Sequence, residues 1–87
     1  MKVKCKGKEY EIIFGSDVEK DGFFSECSTA EGENDELLMY AFWSDATNAF
    51  TFSAFNEDLP FALVEMFVIE ARRRLPPREA AVKLGIN

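Results

Sequence analysis

Residues 37–43 read Leu37-Leu38-Met39-Tyr40-Ala41-Phe42-Trp43, seven apolar or aromatic side chains in a row. Seven residues bounded by polar segments are short for an amphipathic helix. The run is apolar at both parities, which marks a strand covered on its two faces and set centrally in a sheet. Ser44-Asp45-Ala46-Thr47-Asn48 turns the chain. Phe50, Phe52 and Ala54 then alternate with Thr51, Ser53 and Phe55 to form the next strand, with one aromatic face. On the N-terminal side, Ala30 to Asp35 is a polar loop and Phe23 to Thr29 a further strand. Val3 and Cys5 alternate with Lys2, Lys4 and Lys6, and Tyr10, Ile12 and Phe14 alternate again after a turn at Lys6-Gly7-Lys8. That is a hairpin by period and by turn chemistry, although Ile13 interrupts the alternation.

Beyond the last strand the period changes. Asn56-Glu57-Asp58-Leu59-Pro60 opens a helix in which Asp58 is the expected cap and Pro60 is tolerated in the first turn. Placed 100° apart, Phe61, Val64, Phe67, Val68, Ala71 and Leu75 make one apolar stripe. Pro76-Pro77 stops the helix, and Pro77 to Leu84 reads as a short second helix closed by Gly85. The fold class is therefore α+β: an antiparallel sheet of four to five strands, about 2–6, 9–14, 22–29, 36–43 and 48–55, packed by a helix over about 59–75 and a short helix over about 77–84. Leu38, Tyr40, Phe42, Phe50 and Phe52 are expected beneath the long helix.

Composition agrees with one domain over 1–87. A chain of 87 residues buries about 60–65% of its unfolded surface, enough for one modest core. The apolar fraction is 47%, with nine Phe, two Tyr and one Trp. Histidine is absent, which removes the usual general base and the commonest metal ligand. Cys5 and Cys27 are too few for a disulfide scaffold or a four-thiolate zinc site. They are expected as free thiols in a reducing, cytoplasmic setting. The lysine-rich start lacks the apolar core of a signal peptide, and the most apolar stretch, Phe61 to Ile69, is far shorter than a bilayer span.

Charge is distributed in blocks. Residues 1–8 carry four Lys and no acid, and residues 9–70 carry fifteen acids against Lys20 alone. Residues 71–87 are basic again, and the whole chain stands at −6. That balance opposes binding to nucleic acid or to an anionic membrane. In one reading the basic ends fold back on the acidic middle, and the first-strand lysines guard a sheet edge. In the other, the loop acids gather on an exposed face that captures a basic protein. The candidate partner-binding residues are Glu31, Glu33, Asp35, Glu36, Glu57 and Asp58. Met66 and Ile69, opposite the apolar stripe of the helix, join them as residues that need cover from the second helix, a partner or a second copy.

Catalytic patterns are thin. No His stands ready for Cys27, Ser25 or Ser28, no Gly-rich phosphate loop occurs, and the acids of 31–36 lack the spacing of a calcium-binding EF-hand. No cofactor, metal or catalytic residue is expected. Arg72-Arg73-Arg74 spreads over about 200° of helix and makes no single basic patch.

Two stretches carry resemblances. Arg78-Glu79-Ala80-Ala81-Val82-Lys83-Leu84-Gly85-Ile86-Asn87 resembles the first helix and turn of helix-turn-helix DNA-binding domains, but stops where a recognition helix would begin, so DNA binding is not carried over. Ser44 to Pro77, SDATNAFTFSAFNEDLPFALVEMFVIEARRRLPP, resembles a strand, acid-Leu-Pro, helix and Arg-rich ending found in small bacterial proteins of unassigned activity. In size, acidity and layout the chain is similar in kind to immunity proteins that neutralise bacterial toxins and to phage inhibitors of host defence. The resemblance implies a non-enzymatic inhibitor of a basic toxin, nuclease or defence protein. Two other readings stand beside it: a homo-oligomer, such as a homodimer, joined through a sheet edge or the Met66/Ile69 face, and a small carboxylate-dependent enzyme.

Overall fold

A computed structural model describes residues 1–30 and 35–75. Five strands and one helix follow in order: β1 (Lys2–Cys5), β2 (Lys8–Asp17), β3 (Gly22–Thr29), β4 (Leu37–Ser44), β5 (Ala49–Ala54) and α1 (Phe61–Arg74). The strands form one antiparallel meander in the order β1-β2-β3-β4-β5. This is the α+β architecture expected from the sequence. The expected helix over 77–84 lies outside the described residues.

Turn chemistry sets the hairpins. Lys6 and Gly7 both have positive φ, 50° and 81°, which suits a two-residue turn matched to strand twist. The β2–β3 turn ends on Asp21 and the β4–β5 turn on Asn48, both left-handed and both residue types that tolerate it. The two turns are joined by the Asp45 amide, which donates to the Asp21 carbonyl at 2.9 Å.

β2 runs three residues past the expected end at Phe14. Gly15 looks like a strand breaker in the sequence, but it serves as a seat: a Cβ there would come within 2.8 Å of the Phe24 ring. Gly22, at the start of β3, is held by a similar constraint, since a Cβ would collide with the Trp43 carbonyl oxygen.

Register decides which side chains meet the helix. Ile12 lies opposite Cys27, Cys27 opposite Met39, and Ser25 opposite Ala41. Ala41 lies opposite Phe52, and Trp43 opposite Phe50. Odd-numbered residues of β4 thus share a face with even-numbered residues of β5. Leu38, Phe50 and Phe52 lie in or against the core beneath α1 as expected, and Phe52 meets Phe67 with ring centroids 6.1 Å apart. Tyr40 and Phe42 do not; they project from the opposite face, and Met39, Ala41 and Trp43 take the buried positions.

α1 is turned on the sheet relative to the expected stripe. Leu63, Phe67 and Ala71 are its buried residues, with Val64 and Met66 packed against them. Phe61 is 76% exposed. Asp58 does not cap the helix; its backbone is left-handed at φ 56°. Pro60 takes the N-cap position, and its carbonyl accepts from the amides of Leu63 and Val64. Leu75 ends the helix in an extended conformation, as a residue preceding proline should.

Both cysteines are buried and free. Burial pushes the Cys27 thiol up to about 11, so it is a small hydrophobe at neutral pH.

Two outcomes follow from this packing. Phe67→Ala should lower unfolding free energy by about 3–5 kcal/mol, and Phe61→Ala should change it by less than about 0.5 kcal/mol, both read by denaturant titration. Intact mass without reductant should match the fully reduced chain, and alkylation of Cys27 should wait for unfolding. A mass short by two hydrogens would mean a disulfide.

Candidate functional site

The expected partner-binding acids come from distant points in the chain, and strand register gathers several of them. At the end of the β3–β4 pair the register shifts between Cys27 and Ser28, a bulge that re-aims the start of β4. There the Thr29 amide donates to the Glu36 carbonyl at 3.0 Å, and the Glu36 amide donates to Thr29 Oγ1 at 2.9 Å. The Phe55 amide donates to the Leu38 carbonyl, which carries the pairing of β4 with β5 to the same end of the sheet. Asn56 Nδ2 then donates to Glu36 Oε2 at 3.1 Å, a contact across twenty residues.

The result is a groove of about 330 Å³. Glu9, Glu36, Glu57 and Asp58 supply four carboxylates around it against the single ammonium of Lys8. Its apolar lining comes from buried Tyr10 and Leu38 and half-buried Leu59. Asp35 is exposed next to Glu36. Glu31 and Glu33 lie outside the described residues. A groove with carboxylates and an apolar lining suits a lysine or arginine side chain, whose methylenes bury while its charge stays at the polar wall. Among the described residues, no three acids or cysteines come together to hold a metal ion.

Met66 and Ile69 do not form a joint surface. Met66 packs against the core, and Ile69 is 57% exposed. Two of the three arginines pair with Glu70, one turn back on the helix. Arg73 Nη1 donates to Glu70 Oε2 at 2.7 Å, Arg74 Nε to Glu70 Oε1 at 3.3 Å, and the Arg74 guanidinium lies 4.9 Å from the Phe14 ring centre. The first-strand lysines also face acids, with Lys2 opposite Glu11 and Lys4 opposite Glu9. No helix among the described residues is long and apolar enough to cross a membrane.

Sequence reasoning missed the aromatic row on the sheet face away from α1. The rings of Phe24 and Tyr40 stack at 6.0 Å and those of Tyr40 and Phe42 at 6.4 Å, nearly coplanar in orientation. Lys20 Nζ stands 5.9 Å from the Tyr40 ring centre and 5.8 Å from that of Phe42, within cation–π range. The available signal was the double apolar parity of 37–43. Burial, then the negative charges of Asp17 and Glu26, holds the Tyr40 phenol above its ordinary value.

Comparison with family models, curated proteins and solved structures finds no match to this chain.

The Tyr40 environment is measurable. In a Tyr10→Phe background, ultraviolet titration should show Tyr40 ionising above the usual phenol value of about 10. Asp17→Asn should move the midpoint back down, because removing a negative charge eases formation of the phenolate. A midpoint at or below the usual value would contradict the packing described.

Proposed function

We propose that this chain is a non-enzymatic protein-binding domain that captures a basic partner protein through its acidic groove. The supporting observation is the convergence of Glu9, Glu36, Glu57 and Asp58 on one groove, with Asn56 hydrogen-bonded to Glu36. Solubility alone needs charges spread over a surface; it does not need four acids from three separate segments around an apolar lining. Carboxylates grouped in this way raise the local concentration of a cationic partner and orient its approach.

On this reading the domain works as an inhibitor of the immunity-protein kind. It lies over the basic surface that a toxin, nuclease or defence protein uses on its own anionic substrate, and so competes by charge without chemistry of its own. The free, buried thiols suit a reducing cytoplasm. Asp35, exposed next to Glu36, extends the negative field of the groove.

An arginine-rich peptide is the probe. Amide shift changes on titration should concentrate at Glu36 and at 56–59 and fade as salt is raised. Glu36→Gln, Glu57→Gln and Asp58→Asn together should leave the fold intact, because exposed charges contribute little to stability and Asn tolerates the left-handed backbone of Asp58. The triple variant should associate about ten-fold or more slowly at low salt. Wild-type association by the triple variant would reduce these acids to a solubility device.

A further inference from the structure

The two edges of the sheet are built differently. β1 carries Lys2 and Lys4, with Lys6 and Lys8 in and after its turn, a row that discourages another strand from adding there. β5 reads Ala-Phe-Thr-Phe-Ser-Ala, with no charge and no proline, and its pairing with β4 shows no register shift. Because the Phe55 amide donates inward to Leu38, alternation along an antiparallel ladder turns the amides and carbonyls of Phe50, Phe52 and Ala54 away from β4. This uncharged edge borders an apolar groove of about 140 Å³ between β5 and α1, lined by Phe50, Phe52, Phe67, Val68, Ala71 and Arg72.

We propose that the occupant of this edge is a second copy of the chain, with the two β5 strands antiparallel about a two-fold axis normal to the sheet. β5 is complementary to itself. It offers outward backbone groups at alternate residues, and the same residues carry the phenylalanines on the α1 side. A two-fold pairing of even-numbered with even-numbered residues joins both sets at once, as an isologous interface requires. The axis direction places both helices on the same side of a ten-stranded sheet, running antiparallel to one another.

Charge complementarity fixes the helices. Glu65, Val68 and Arg72 share one stripe of α1 by their spacing of three and four residues. In the antiparallel arrangement, Glu65 of each copy faces Arg72 of the other, with Val68 between them. The apolar area is also available, since Phe52 is 50%, Val68 38% and Ile69 57% exposed in the single chain. A strand pair alone makes a marginal contact. The exposed Phe52 and Val68 side chains of the two copies add apolar contact to that strand pair.

Sedimentation velocity over a concentration series tests this on the full chain, with circular dichroism as the control for folding. The wild type should sediment as a dimer, and Phe52→Lys should raise the dimer dissociation constant at least ten-fold. Glu65→Arg alone and Arg72→Glu alone should each weaken the dimer about ten-fold, because each juxtaposes like charges twice. Mixing the two single variants should restore dimerisation as a heterodimer in which both pairs are again opposite. A wild type that stays monomeric at every concentration overturns the proposal. So does a dimer indifferent to Phe52→Lys, or one whose charge variants show no loss alone and no recovery on mixing.

Discussion

Among the described residues, one helix of 14 residues covers one face of a five-stranded sheet, and much of their arrangement follows from that mismatch. Such a helix is about 21 Å long and about 10 Å wide. Five strands spaced about 4.8 Å apart span about 19 Å. The helix therefore seals a diagonal band and no more. Ile12, Cys27, Met39, Leu63 and Phe67 lie in that band and are fully buried. At β5 every residue but Phe50 is exposed. On the far face, Phe24, Tyr40 and Phe42 shield one another by stacking, with Lys20 laid over Tyr40 and Phe42.

Element type and order were legible because the signals were local. Alternation, a positive-φ turn at Lys6-Gly7 and a proline stop each act over a few residues. Facing was less legible. A strand apolar at both parities gives no instruction about which set goes in, so Tyr40 and Phe42 were expected beneath a helix that rests on Met39 and Ala41 instead. The deciding quantity is the pairing of Trp43 with Phe50, which depends on the length of the intervening turn. The helix posed the same difficulty. Phe61, Leu63, Val64, Met66, Phe67, Val68 and Ile69 surround much of its circumference, so several stripes satisfy a 3.6 period and only contact with the sheet selects one. Asp58 was a sound cap by residue type, but Pro60 moved the helix start two residues on.

The candidate site was legible as a list of acids and not as a place. Glu36 and Asp58 are far apart in sequence, and neither segment alone says that the start of β4 and the end of β5 lie side by side. The bulge at Cys27/Ser28 that positions Glu36 leaves no mark in composition. The pairing of Arg73 and Arg74 with Glu70, one turn back, follows from a spacing of three and four residues on a helix. The edge at β5 was the least visible feature, because an uncharged strand is conspicuous only once its neighbours are known.

The meander has a consequence for how the chain is made. Each strand pairs only with its neighbour in sequence, so hairpins form locally and quickly, within microseconds of becoming available. Synthesis runs from β1 to α1 at about 5–20 residues per second, and Phe67 is made thirteen residues after the last strand ends at Ala54. Until α1 has been made and has emerged, the strands already paired form a sheet whose apolar face has no lid. In that interval Ile12, Met39 and the uncharged β5 edge are open to neighbouring chains. Release before Phe67 and Ala71 have been added leaves the sheet bare, so the span from Ala54 to Ala71 is where a stalled ribosome would do the most harm.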